Sequence, residues 1–315
     1  MQLLREHSEI IPQPSVATIG FFDGVHRGHR FLIEQVRDVA AERGLCSSVV
    51  TFPVHPYKVM HPEFSPELLT TCDEKISLLD ETGLDYCVML NFTTDLAKLS
   101  AREFMTLLKE RYNIRALVIG YDHRFGHNRS EGFDDYVRHG KELGIEVLLA
   151  RAYIYNDEAA VSSSVIRQLL LSGNVSEAAK YLGYEFFLDG TVVNGHRIGR
   201  KLGFPTANIQ VSETDKLIPS DGIYAVRVKV RGELYKGMLS IGYRPTVNNG
   251  TDRSIEVNIF HFDSDIYGEA IRVYFVCYTR PELKFDTIEE LTEQLHEDEK
   301  EIKLILHNRL HDPMQ

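Results

Sequence analysis

At 315 residues the chain has room for two domains of ordinary size, each with its own core, and 43% hydrophobic with 26% charged residues are globular proportions that exclude a disordered chain. Thirty-five Lys and Arg against 46 Asp and Glu give a formal charge of −11, shared between the halves: 19 basic and 25 acidic residues precede Gly183, and 16 and 21 follow it. Binders of nucleic acid or of anionic membranes concentrate their cations, so neither partner is expected, whereas a small phosphorylated ligand needs only a local site.

The chain opens Met1-Gln2-Leu3-Leu4-Arg5-Glu6-His7, charged too early for a signal-peptide core, and no apolar run approaches about 18 residues, so a cytoplasmic location is expected. From residue 15 short apolar runs alternate with helical patterns. Ser15–Gly20, Ser47–Phe52, Tyr86–Leu90, Arg115–Gly120 and Ile145–Ala150 read as strands; Phe31–Arg43, Glu74–Glu81, Ala101–Arg111 and Gly132–Leu143 read as helices between them. That rhythm predicts βαβ units, hence a Rossmann-like α/β domain whose parallel sheet places ligands beyond the carboxyl ends of its strands. After Gly183 the period changes to two. In Gly222–Arg231 one parity carries Tyr224, Val226, Val228 and Val230 and the other ends in Arg227, Lys229 and Arg231. Glu185–Val193, Glu233–Ile241, Ser254–Phe262 and Ala270–Tyr278 behave alike, which predicts a small antiparallel β-barrel with Thr287–Leu306 as a terminal helix packed outside it. The expected domains are 1–183 and 184–315. Cys46, Cys72, Cys87 and Cys277 form no C-x-x-C pair, which argues against zinc and against a disulfide framework.

Gly20-Phe21-Phe22-Asp23-Gly24-Val25-His26-Arg27-Gly28-His29 falls between the first strand and the first helix, where backbone N–H groups and a helix N-terminus meet phosphate. Gly20, Gly24 and Gly28 let the backbone approach closely. His26 and His29, three apart at the helix start, can face one ligand and donate to phosphate oxygens whose charge grows as a phosphoanhydride breaks. Val161-Ser162-Ser163-Ser164-Val165-Ile166-Arg167 sets three hydroxyls before another helix; they read as N-caps and, with Arg167, as a second clamp for the same triphosphate.

These two segments resemble the nucleotidyltransferase superfamily with the H-x-G-H signature, in which catalysis is positioning and charge stabilisation without a covalent enzyme intermediate. With Thr51-Phe52-Pro53-Val54-His55-Pro56 and Gly120-Tyr121-Asp122-His123-Arg124-Phe125-Gly126 the resemblance narrows to the adenylyltransferase domain of the bacterial bifunctional riboflavin kinase/FMN adenylyltransferases, the FAD synthetases. It implies nucleotide contacts at Gly20, Phe21, Asp23, His26, Gly28, His29, Asp122, Ser163, Ser164 and Arg167, catalytic roles for His26 and His29, and a flavin contact at Phe125.

That family carries a riboflavin kinase module downstream, and Gly195-His196-Arg197-Ile198-Gly199-Arg200-Lys201-Leu202-Gly203-Phe204-Pro205-Thr206-Ala207-Asn208 resembles its phosphate-binding flap and P-T-A-N motif. The resemblance implies ATP contacts at Gly199, Lys201, Pro205, Thr206 and Asn208. It makes Thr206 and Asn208 ligands of a Mg²⁺ that accompanies ATP, a hard cation suited to oxygen donors. Glu256 lies on the strand parity opposite Ile255, Val257 and Ile259, so its carboxylate leaves the apolar face; the family pattern puts its general base there, to take the proton of riboflavin's ribityl 5′-hydroxyl as the γ-phosphoryl moves. Arg280, Glu282 and Phe285 are implied to lie near the flavin ring. Three positions depart from the family pattern: His123 replaces an aromatic residue, Pro53-Val54 reverses the usual order, and His261 stands where Asp is common.

The expected function is therefore flavin cofactor synthesis in two steps, riboflavin to FMN in the second domain and FMN to FAD in the first, with riboflavin, FMN, FAD and ATP as ligands and no protein partner implied. Two alternatives stay open. One is a kinase whose first domain is inactive; the other is a flavin-sensing protein without turnover.

Overall fold

The computed structural model describes residues 1–5, 13–120, 123–127, 130–154, 161–195, 199, 202–243 and 253–309, which form two compact units, Met1–Ser163 and Ser164–Gln315. The first unit holds β1 (Gln2–Arg5), β2 (Ser15–Ile19), β3 (Cys46–Thr51), β4 (Tyr86–Met89), β5 (Ile114–Ile119) and β6 (Glu146–Leu149). Every pairing is parallel, and the strand order is β1-β4-β3-β2-β5-β6. All five residues of β2 are buried, as a central strand covered on both faces requires.

The helices of this unit are α1 (Arg27–Arg43), α2 (Pro56–Met60), α3 (Cys72–Asp80), α4 (Thr94–Lys98), α5 (Ala101–Tyr112) and α6 (Phe133–Leu143). Local chemistry sets their ends. Thr71 with Glu74 and Ser100 with Glu103 form capping boxes at α3 and α5, and Gly44 stops α1 in the left-handed conformation. Val50, Val88, Leu117, Met105 and Leu108 join strands to helices in one core. Three elements escape a reading of the sequence: β1, α2 and α4, four or five residues long, carry neither a clear period nor a long apolar run.

Helices α7 (Ser163–Leu171) and α8 (Val175–Leu182) come next, and α8 packs on β12 (Ala270–Arg280) of the second unit. With β7 (Phe187–Val193), β8 (Ala207–Gln210), β9 (Gly222–Val230), β10 (Glu233–Tyr243) and β11 (Arg253–Ile259), β12 closes an antiparallel barrel in the order β10-β11-β8-β7-β12-β9. Five of these strands show the alternation. The sixth, β8, is four residues long and contains the Ala207-Asn208 of the P-T-A-N string, so it reads as a motif rather than as a strand. The terminal helix α9 (Ile288–Asn308) starts at a Thr287–Glu290 capping box and packs on β9, β10 and β12 through Ile302 and Leu306. All four cysteines are free thiols.

Candidate active sites

In the first unit the chain runs outward from β2 to β3 and β4, then crosses back to place β5 on the other side of β2. This is the switch point of the sheet, where a crevice opens beyond the strand ends. The segment leaving β2 turns sharply: Phe22, Gly24 and Val25 have φ of 55°, 78° and 36°, a costly conformation for a β-branched residue. Asp23 holds it there. Buried, it accepts from the Leu69 N–H at 3.1 Å, the Thr70 N–H at 3.1 Å and the Thr70 hydroxyl at 3.3 Å, while the Gly24 N–H donates to Thr70 Oγ1 at 3.0 Å. The carboxylate is thus placed as an anchor of the loop, turned to protein donors.

His26 caps α1: its Nδ1 accepts the His29 N–H at 3.4 Å, which leaves Nε2 as the donor nitrogen of that ring. The two imidazoles stack at 3.6 Å with 19° between planes, and the Phe22 ring meets His29 edge-on at 5.2 Å. Gly28 makes the stack possible, because a Cβ there would stand 3.2 Å from the His26 ring and 3.4 Å from the Val161 carbonyl. His29 Nδ1 is buried with no hydrogen-bond partner among the described residues. Burial, then the neighbouring His26 and then Lys75, hold the His29 pKa well below its ordinary value, so the ring is neutral at neutral pH. The Gly20 N–H is tied to the Val50 carbonyl at 3.0 Å, and Phe21 meets His55 edge-on at 4.7 Å, which joins the Thr51–Pro56 marker to the loop after β2. Ser163 Oγ donates to the Asp23 carbonyl at 3.0 Å; Ser164 is exposed and Arg167 half-buried on α7.

Two other predicted positions stand apart from this group. Asp122 lies outside the described residues. Phe125, expected at the flavin, is a core residue: it stacks on Tyr136 at 4.1 Å, packs against Phe104, and exchanges backbone hydrogen bonds with the Tyr136 hydroxyl. Tyr136 thus covers one face of the Phe125 ring.

In the second unit β8 pairs antiparallel with β11, so that Asn208 sits opposite Glu256. Thr206 Oγ1 donates to Glu256 Oε2 at 3.0 Å, and Asn208 is buried. Thr206 and Asn208 thereby come together with Glu256, about fifty residues further along the chain. The rim is drawn tight: a Cβ on Gly195 would lie 2.0 Å from Asn208 Nδ2, and the Gly199 carbonyl accepts the N–H groups of Leu202 and Phe204 at 3.0 and 2.8 Å. Lys201 lies outside the described residues. Beside Thr206 is a cavity of about 330 Å³ walled by Val192, Pro205, Ile259 and Ile266, with Asp263 and Asp265 on its lining. Of the residues implied at the flavin, Arg280 forks both oxygens of buried Asp298 at 2.8 and 2.6 Å, tying β12 to α9. Glu282 presses against Gly242; burial and the nearby Asp221 raise its pKa. Phe285 is half-buried.

The FAD synthetase family model matches residues 8–165 and the riboflavin kinase model matches residues 182–306. A relative from Listeria monocytogenes, named bifunctional riboflavin kinase/FMN adenylyltransferase, is 36% identical over 289 residues, which is 91% of each chain. The chain belongs to the bifunctional riboflavin kinase/FMN adenylyltransferase family. The Escherichia coli K12 member of that name is 34% identical and covers 95% of this chain and 96% of its own. A solved structure from Streptococcus pneumoniae, described as a macrolide-efflux protein, has the same fold, with a TM-score of 0.88 at 31% identity over 96% of this chain and 98% of that one. No helix among the described residues here is long and apolar enough to cross a membrane. As in the family, an FAD synthetase domain precedes a riboflavin kinase domain, and ATP and flavins are the substrates those domains imply.

Sequence reasoning missed two residues that hold these family sites together. Asn258 Nδ2 donates to the Pro205 carbonyl at 2.7 Å and fixes the P-T-A-N turn; sharing strand parity with Glu256 was the available signal. Lys75 is the other. It shares an i, i+3, i+4 stripe with buried Leu78 and Leu79, where a lysine is out of pattern.

Proposed function

We propose that the chain carries two active sites and that the residues just described do the chemistry: residues 184–315 phosphorylate riboflavin and residues 1–183 adenylylate the FMN, in the cytoplasm. In the kinase step Glu256 accepts the proton of the ribityl 5′-hydroxyl while that oxygen takes the γ-phosphoryl group and ADP leaves. The Thr206 hydroxyl bonded to Glu256 orients the carboxylate, and Asn258 keeps Thr206 in register through Pro205. The cavity beside Thr206 suits a purine, with apolar walls for its faces and carboxylates for its amino group. Thr206 and Asn208 would hold Mg²⁺. Their hydroxyl and amide oxygens, crowded against Glu256, are a hard-donor set of the kind this ion takes, and when bound it neutralises charge on the transferred phosphoryl.

In the adenylyl step the FMN phosphate attacks the α-phosphorus of ATP and pyrophosphate leaves. The nucleophile is already an anion, so no general base is needed, and stabilising the departing charge is the whole task. His26 Nε2, His29 and the N-terminus of α1 face that charge, and the Ser163 hydroxyl, bonded to the Asp23 carbonyl, steadies the loop that carries them. The observation that supports this reading is that two separate polar constellations form: the stacked histidines at the switch point, and Thr206, Asn208 and Glu256 across β8 and β11. Supplied with riboflavin, ATP and Mg²⁺, the chain is expected to form FMN and then FAD. His29→Ala should stop FAD formation and leave FMN formation intact; Glu256→Gln should stop FMN formation yet still convert supplied FMN to FAD. Loss of both activities in either folded variant overturns the assignment.

A further inference from the structure

Lys75 lies on the buried stripe of α3, 1% exposed, in the first turns of its helix. Burial and the positive end of the helix dipole both oppose an ammonium there, and an aliphatic residue would complete the stripe without either penalty. The partners of Lys75 belong to the first site. Its Nζ donates to the carbonyl of Phe52, just past β3, at 2.7 Å and to that of Phe21, just past β2, at 3.1 Å, and it stands 4.0 Å over the Phe21 ring. The same Phe21 carbonyl accepts the Thr51 hydroxyl at 3.1 Å. From that fixed point the chain enters the left-handed turn at Phe22, whose ring abuts His29.

We propose that Lys75 is a positioning residue for adenylyl transfer, tying the carboxyl ends of β2 and β3 together beneath the phosphate loop and giving the site of His26 and His29 a fixed internal cation. This rests on reading those two histidines as phosphate-facing. A buried charge that does not reorganise acts more strongly on charge developing in a substrate than the same charge in water. The tie and the charge are separable. Burial lowers the Lys75 pKa to about 8, so alkaline solution removes the charge while the remaining N–H groups still reach both carbonyls. Asp23, Cys72, Cys87 and His29 are the titratable groups coupled to it; Cys87 is pushed up to about 12, and His29 is already neutral in this range.

The test measures FAD formation from FMN and ATP, with riboflavin phosphorylation by the same chain as the control for folding. Lys75→Met is expected to lower kcat for FAD formation on the order of tenfold or more, as loss of a preorganised electrostatic group does, with a smaller change in KM for ATP and an unchanged kinase rate. Wild-type kcat is expected to fall as pH rises through about 8, and Lys75→Arg, which keeps its charge, should remove that fall. A full FAD rate in folded Lys75→Met overturns the proposal. So does an alkaline fall that persists in Lys75→Arg, and a wild-type profile flat through this range overturns it without any variant. His29→Ala is run alongside: if FAD formation survives that substitution, the reading of the histidines has failed, which is distinguishable from a failure confined to Lys75.

Discussion

His29 is buried, stacked on a second imidazole and coupled to a buried ammonium, three conditions that each oppose its protonation. With the proposed triphosphate against its ring the balance reverses, because an anion there favours the charged form. The ATP-bound state of the first unit therefore binds more protons than the empty state, and by linkage its affinity for ATP strengthens as pH falls. Calorimetry in buffers of different ionisation enthalpy, near pH 6.5, is expected to show proton uptake on ATP binding that His29→Gln abolishes. Equal proton counts in the two proteins would contradict this. Asp23 and Arg280 teach a complementary point about single side chains. Both were singled out for ligand contacts, and both place their charged groups on protein partners, Asp23 on Leu69 and Thr70 and Arg280 on Asp298. Residue type and spacing announce a charge near a site but do not say what else in the fold competes for it.

Elements long enough to display a period were legible. The five parallel strands after residue 15, the four longer helices between them and five of the six barrel strands lie where alternation or helical spacing put them, within a few residues. The short strands β2, β4 and β6 were legible because each lies in a mainly apolar run, whereas for β1, α2, α4 and β8 no such run or period marks the element. Strand β8 shows why this matters for the site: its register against β11 brings Asn208 opposite Glu256, a pairing invisible in either segment alone. The same element makes Gly195 unusually exacting. A methyl group there would meet the buried Asn208 amide at 2.0 Å, and Asn208, held between β7 and β11, has little freedom to retreat. Gly195→Ala is expected to weaken the kinase step at least about tenfold, seen as a raised KM for ATP, because the amide is displaced from the phosphate end of the site. FAD formation from supplied FMN should be unchanged. A kinase rate within about twofold of wild type would show that the flap accommodates the methyl group.

Across the whole molecule the surplus of negative charge is spread evenly, yet each unit handles a polyphosphate. Global charge governs encounters with extended polyanions; a nucleotide is held by a few groups at a strand end or beside a barrel rim, where low dielectric makes each of them count. If both sites are complete within their own units, neither needs the other's chemistry on the same chain, and FMN released by one molecule can serve another. A mixture of His29→Ala and Glu256→Gln proteins, each blocked at one step, is therefore expected to convert riboflavin to FAD. FMN should accumulate first. FAD should follow after a lag that shortens as the concentration of the Glu256→Gln protein rises, because the second step then depends on free FMN meeting a competent first unit. Separating flavins over time on a chromatographic column reads both species at once. FMN that builds up to high concentration without FAD appearing, while the Glu256→Gln protein alone still adenylylates supplied FMN, would mean that the intermediate is not released in usable form.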